Sequence, residues 1–301
     1  MDAVKSFASA TLNSLSRVSG SLAGKGAFQL FGMPMARSSL RPAERERLGT
    51  ARREQLRINR SAVSVYRWGT GERPVLLVHG WQSRGSRLTD LVPGLLEQGR
   101  SVITFDAPAH GDSTGRSATI HHYREILSRL QERHGVFEAI VAHSVGVLGA
   151  FYSLAHGGVE ARRLVSISGV CDFAHLVDEF CAILKIRDPL KAQLLREIGA
   201  RLFPDLPADR MPFSITHAAE AVAIPALVVH DEHDDRIEVT QGRRIAAALG
   251  HQARLVITTG LGHRRILGDD EVIRTVLDFV AEDATRRDGP TAPVAAPVSA
   301  D

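Results

Sequence analysis

A serine hydroxyl attacks a carbonyl only when a base takes its proton, and that base needs an acid to orient it. Ser144 stands where such a nucleophile would stand, in the stretch Ala139-Ile140-Val141-Ala142-His143-Ser144-Val145-Gly146-Val147-Leu148-Gly149. A short apolar run leads into a serine between small residues, and an apolar helical pattern follows. This is the layout of a nucleophile elbow, a sharp strand-to-helix turn that holds a serine oxygen at its tip. The turn crowds the backbone two residues before and two after the serine, where only small side chains fit. Ala142 and Gly146 occupy those places, although an elbow usually carries glycine at both. Taken alone, the stretch also fits a buried strand followed by a core helix with an incidental serine. Its weight comes from two later segments, each placed just after an apolar run. They are His230-Asp231-Glu232-His233-Asp234-Asp235-Arg236-Ile237 and Thr259-Gly260-Leu261-Gly262-His263.

Those segments need a rigid frame. Residues 74–80, 101–106, 139–144, 164–167, 225–230 and 254–258 read as nearly continuous apolar runs of strand length. Such runs fit parallel strands buried on both faces. Ile120, Tyr123, Leu127 and Leu130 form a helical stripe between them, as do Val272, Val276, Phe279 and Val280. Alternating strands and helices imply an α/β domain with a parallel sheet wrapped on both sides, whose ligands bind at the carboxyl ends of the strands. The core domain is expected over 61–170 and 222–283. Residues 171–221 break the alternation with helical stretches and prolines, and are expected to form a helical lid; a set of ordinary crossover helices is the other reading.

The first 60 residues are expected to be a helical extension. Val4, Phe7, Ala8, Leu12, Leu15, Val18 and Leu22 make a thin apolar stripe near helical spacing. That stripe fits a helix packed on its own domain, or a weak membrane-surface or partner contact. Arginines are dense from Arg37 to Arg60 but interleaved with Glu44, Glu46 and Glu54, as on a solvated face. There are no aromatics among them for base stacking, so no nucleic-acid partner is expected. Residues 284–301 are rich in Pro, Ala and Thr and are expected to be disordered.

Composition narrows the function classes. Of 301 residues, 44% are hydrophobic and 24% charged, with a net charge of +3, which suits a soluble globular protein. Cys171 and Cys181 cannot build a disulfide framework and read as buried thiols in a reducing compartment. They form no Cys-x-x-Cys pair, and neither a metal nor an organic cofactor is expected. No run reaches the length of a membrane span and the N-terminus lacks a secretory pattern, so a cytoplasmic location is expected.

Five motifs in order now carry a resemblance. His79-Gly80-Trp81 is similar to the oxyanion segment after the third strand of α/β-hydrolases. Asp106-Ala107-Pro108-Ala109-His110-Gly111-Asp112-Ser113 resembles that family's Asp-x-Pro-Gly-x-Gly-x-Ser loop, and 142–146 its elbow. Residues 230–237 resemble its His-Gly-x-x-Asp-x-x-Val acid loop, and 260–263 its histidine loop. The resemblance covers about residues 61–281 and implies the α/β-hydrolase fold, with a mostly parallel sheet, helices on both faces and a helical lid. It further implies Ser144 as nucleophile, His263 as base and Asp234 as acid, with Asp235 as the fallback for the acid. The backbone N–H groups of Trp81 and Val145 would form the oxyanion hole. Ala142, Ala109 and Asp231 depart from the family's glycines, and none of them removes a reacting group. The activity implied is hydrolysis of a carboxylic ester, a small molecule, through an acyl-enzyme. A lysophospholipase or thioesterase would use the same residues, and a non-catalytic binding protein would keep the pocket without the chemistry. The oligomeric state is left open by the sequence.

Overall fold

The computed structural model describes residues 2–207 and 210–282; the tail expected to be disordered, 284–301, lies outside them. Three helices come first: α1 (Asp2–Val18), α2 (Gly20–Phe31) and α3 (Pro42–Gly49). Then follow β1 (Arg52–Ile58), β2 (Ser61–Trp68), β3 (Val75–Val78), a 3-10 turn at Gly85–Leu91, α4 (Val92–Glu97) and β4 (Val102–Phe105). The middle of the chain runs α5 (Ile120–His134), β5 (Ala139–His143), α6 (Val145–His156) and β6 (Leu164–Ile167). Three helices separate β6 from the next strand: α7 (Phe173–Ile183), α8 (Asp188–Leu202) and α9 (Ile215–Ala218). The chain ends with β7 (Ala226–Asp231), α10 (Val239–Leu249), β8 (Ala253–Thr258), α11 (Gly262–Arg265) and α12 (Asp270–Ala281).

The eight strands form one sheet in the order β1-β2-β4-β3-β5-β6-β7-β8. β1 and β2 are antiparallel to their neighbours and the rest are parallel. β3, β4, β5, β6 and β7 are buried at every residue, so their apolar runs follow from having helices on both faces. Side chains alternate across the sheet. Leu76, Val78, Ile140 and Ala142 join one core with Tyr123 of α5 and Phe151 of α6. Val75, Leu77, Ala139 and Val141 join a second core with Leu95 of α4 and Phe279 of α12.

From β3 the chain crosses to β4 on one side, and from β5 to β6 on the other. The carboxyl ends of the adjacent strands β3 and β5 therefore open onto a crevice, the place where open parallel sheets bind ligands.

The sheet begins at Arg52 rather than near Ser61, which corrects the expected 60-residue helical extension. β1 pairs with β2 along its whole length. As an edge strand it buries only Leu56 and Ile58, and its other positions carry exposed or half-buried Arg, Glu and Gln. Charge on an edge strand discourages pairing with another chain, and here it also masks the two-residue period.

The first two helices pack on the domain. Gly20 and Gly24 lie against Gln193 of α8, where a Cβ on Gly24 would come within 2.8 Å of the Gln193 Cβ. Asn13 bridges α1 to the α7–α8 connection: its Nδ2 donates to the Lys185 carbonyl at 3.1 Å and its Oδ1 accepts from the Arg187 N–H at 3.2 Å. Phe31 packs edge-on to Phe180, with 5.3 Å between ring centroids. Among the described residues of 171–221 lie the helices α7, α8 and α9, and α1 and α2 pack against α8. Phe7, Val18 and Leu22 point outward. Among the described residues no helix is long and apolar enough to cross a membrane.

Candidate active site

β5 ends at His143 and α6 begins at Val145, which leaves Ser144 as the single residue of the turn. It sits at φ 57°, ψ −127°, a strained conformation for a residue with a Cβ. The turn is pinned by the Ser144 N–H, which donates to the Ile167 carbonyl at 3.0 Å. Gly146 faces the backbone of β3, where a Cβ would lie 2.6 Å from the His79 carbonyl oxygen and 2.8 Å from that of Val78. Ala142 instead points its methyl into the first core, fully buried, so the departure from glycine is accommodated. Gly146→Ala is expected to cost about 2 kcal/mol by overpacking against a backbone that cannot move aside. Urea denaturation checks this, with an unchanged midpoint as the contrary result.

The three side chains expected to act together are in contact. Ser144 Oγ lies 3.1 Å from His263 Nε2, and His263 Nδ1 lies 2.8 Å from Asp234 Oδ2. Burial alone would raise the Asp234 pKa, but the His263 hydrogen bond and the N–H groups of Ile237 and Arg236 outweigh it and bring it to about 2. Asp234 is therefore an ionised acceptor at neutral pH. The His263 proton must then sit on Nδ1, leaving the Nε2 lone pair for the Ser144 hydroxyl. Asp234, rather than Asp235, meets the histidine. The Asp234 side chain is fully buried, whereas Asp235 is exposed.

Each loop is braced by groups of ordinary local function. His230 Nε2–H donates to the Ile237 carbonyl at 2.9 Å and steadies the acid loop. His79 sits between the Gly80 carbonyl, to which Nδ1–H donates at 2.7 Å, and the Ala107 N–H, which donates to Nε2 at 2.9 Å. Burial pushes His79 down to about 4 and His110 to about 3, so both stay neutral. His110 Nε2 accepts the Gln82 N–H at 3.1 Å and fixes the residue after Trp81. Gly80 presses against the serine: a Cβ there would be 2.7 Å from Ser144 Cβ. The N–H groups of Trp81 and Val145 have no acceptor among the described residues. Val145 N–H also opens α6, where the helix dipole favours negative charge.

Two further braces hold the histidine loop. Asp231 stands where the resembled motif has glycine, and its carboxylate holds the histidine loop. It accepts from the Leu261 N–H at 3.0 Å, the Thr258 hydroxyl at 2.8 Å and the His233 N–H at 3.0 Å. Burial would raise its pKa, yet these donors and the Gly262 N–H hold it below the usual carboxylate range. Asp231→Ala is expected to lose about 3 kcal/mol of stability, since bonds to ionised acceptors are the stronger kind. It is also expected to lower kcat more than it changes KM, because His263 loses its support; steady-state kinetics and urea denaturation check both. His143 is the other brace: its Nε2–H donates to the His263 carbonyl at 3.0 Å, with the two rings 4.7 Å apart. Burial and the neighbouring His263 push His143 down to about 3.

Ser144, Trp81, Val145 and His263 line a cavity of about 1350 Å³. α7 supplies Phe173, Leu176 and Phe180 to its wall, and α2 supplies Phe28 and Phe31. Cys171 and Cys181 are buried free thiols outside the Ser–His–Asp chain, and burial pushes each up to about 11. Among the described residues no group of three or more His, Cys, Asp or Glu is arranged to hold a metal ion.

Comparison with known proteins fits this geometry. No curated protein sequence matches the chain. Among solved structures it is similar to an esterase from Pyrococcus furiosus, at 17% identity over 83% of this chain and 96% of that one, with a TM-score of 0.60. It is also similar to a monoacylglycerol lipase from Paleococcus ferrophilus, at 20% identity over 73% and 98% of the two chains, with a TM-score of 0.56. The thioesterase domain from the curacin biosynthetic pathway matches at 17% identity over 77% and 99%, with a TM-score of 0.56. At such identities the likeness is one of fold. The sequence profile of the Alpha/beta hydrolase family, however, matches residues 75–276, two thirds of the chain and every loop described above. The elbow after β5, the acid loop after β7 and the histidine loop after β8 thus stand within a family match, and the chain belongs to the alpha/beta hydrolases.

Proposed function

We propose that the protein is a serine hydrolase that cleaves a carboxylic ester through an acyl-enzyme. The observation that carries this reading is the unbroken chain Ser144–His263–Asp234 opening on an apolar-walled cavity. Ser144 Oγ attacks the carbonyl carbon while His263 Nε2 takes its proton. The carbonyl electrons move to oxygen, and the N–H groups of Val145 and Trp81 donate hydrogen bonds to that oxyanion. Each well-aimed donor of this kind contributes about 3 kcal/mol. The intermediate collapses, the bond to the leaving oxygen breaks, and His263 hands that oxygen its proton. Water then repeats the sequence on the acyl-serine, with His263 again as base. Asp234 keeps the imidazole in its tautomer and stabilises the cation that forms.

A thioesterase or lysophospholipase would use the same steps on a different leaving group. The solved structures of similar fold include an esterase, a monoacylglycerol lipase and a thioesterase domain, which keeps all three acceptable. A binding protein without turnover is disfavoured by the intact hydrogen-bonded chain. The test is a panel of p-nitrophenyl esters from acetyl to long acyl chains, with an acyl-thioester beside them. Turnover of at least one activated ester is expected, rising as the acyl chain lengthens into the apolar wall. No turnover of any panel member would sink the reading.

A further inference from the structure

The cavity has two chemistries on its two sides. One wall is apolar: Phe28, Phe31, Leu148, Phe173, Leu176 and Phe180. These residues belong to, or pack against, the core on the α5–α6 face of the sheet. The other wall is basic, carrying Arg41, Arg47, Arg87, Arg264 and Arg265. Its supports, Leu48, Leu88 and Ile266, belong to the core on the opposite face. Ser144 follows β5 in the middle of the sheet and so lies between the two walls.

The basic wall carries more positive charge than the protein neutralises. Among the described residues its five arginines meet two carboxylates, Glu44 and Asp90, while Glu179 of the same lining pairs with Arg236. Glu44 is held by Arg87 and by the Ser86 hydroxyl, with Arg41 Nε at 3.7 Å. Asp90 is held by Arg47. Arg265 spends its guanidinium on the carbonyls of Leu261 and Gly260, at 3.0 and 2.7 Å, and has no carboxylate partner among the described residues. Arg264 is exposed and has no hydrogen-bond or ion-pair partner among the described residues. A guanidinium lining a cavity presents a fork that matches carboxylate or phosphate oxygens.

The direction of the reaction says which part of a substrate meets which wall. His263 must return a proton to the leaving oxygen, so the leaving group lies on the histidine side. Arg264 and Arg265 follow His263 on the same short helix, α11. The acyl chain is then left to the apolar wall. The geometry points to an amphiphilic ester as substrate: an aliphatic acyl chain on the apolar side, and an alcohol part bearing a phosphate or carboxylate on the arginine side. This rests on the serine-hydrolase reading above and names its substrate class.

The test pairs esters that differ only in the anion, each used below its micelle-forming concentration. Monodecanoylglycerol is compared with monodecanoylglycerol phosphate, and the decanoyl ester of methyl hydroxybenzoate with that of hydroxybenzoate. The anionic member of at least one pair is expected to show a kcat/KM about tenfold higher or more, as one or two charge-assisted hydrogen bonds would give. Preference in the phosphate pair alone assigns a phosphate; preference in both assigns an anion of either kind. The preference should shrink on raising ionic strength from about 0.05 to about 0.5 M. It should fall to about twofold in the double variant Arg41→Gln/Arg264→Gln and invert in Arg264→Glu, the circular dichroism of each variant confirming its fold. Neutral members cleaved equally well or better in both pairs would overturn the proposal, as would a preference that survives the double variant. Labelling of Ser144 by a fluorophosphonate without cleavage of either anionic ester overturns the proposal alone. Absence of both Ser144 labelling and cleavage of every ester overturns the hydrolase reading beneath it.

Discussion

Ser144→Ala is expected to lower kcat on a p-nitrophenyl ester by about 10⁵-fold or more, while the protein stays folded. The size follows from the mechanism: without an oxygen on residue 144 no acyl-enzyme forms, and only the oxyanion donors and the bound orientation remain. In serine hydrolases that act as a unit, loss of the nucleophile costs about as much as loss of the whole constellation. The fold should tolerate the change because, among the described residues, the Ser144 side chain makes one hydrogen bond, to His263. The backbone bond from Ser144 N–H to Ile167 survives. A Tm within about 3 °C of wild type is expected, and the pair of measurements separates lost chemistry from lost structure. Retained turnover would place the nucleophile elsewhere.

Asp234→Asn is expected to lower kcat by about 10⁴-fold, the scale seen when a histidine loses its orienting carboxylate and adopts the wrong tautomer. Asparagine keeps an oxygen for the N–H groups of Arg236 and Ile237, so the acid loop should hold its shape. Its NH₂ could present a donor to Nδ1, which moves the imidazole proton to Nε2 and blocks acceptance from Ser144. The neighbour gives the control: Asp235→Asn, on an exposed side chain, should leave kcat within about twofold of wild type.

A pH prediction belongs to the same residue. The Asp234 pKa falls from the ordinary 3.8 to about 2 on folding. The stabilisation tied to that shift is therefore fully present above about pH 4 and lost as pH falls through 2. The Tm gap between wild type and Asp234→Asn should close over that window. A gap independent of pH would show that the carboxylate is not held in its charged form.

Much of this was legible because buried parallel strands announce themselves. β3, β5 and β7 are short apolar runs, and the loops that follow them hold the residues of interest. The resembled acid loop favoured Asp234 but left Asp235 open; the contact with His263 Nδ1 is made by Asp234. The edge strand β1 escaped notice because five of its seven side chains are exposed or half-buried Arg, Glu or Gln. The packing of α2 on α8 escaped for a different reason. Gly20 and Gly24 admit Gln193 by having no side chain, and a contact made by absence leaves no hydropathy signal. Asp231 was visible only as a missing glycine. Its role depends on the Leu261 N–H arriving from the loop after β8, thirty residues later, which only the tertiary fold brings about.

The central claim is that the oxygen of one serine becomes acylated. Intact-protein mass spectrometry after brief exposure to a fluorophosphonate tests it directly, followed by peptide mapping. One adduct per chain on Ser144 is the expected result, strongly slowed in Asp234→Asn and absent in Ser144→Ala. No adduct on the folded wild-type protein, or one mapped to any other residue, would contradict the account.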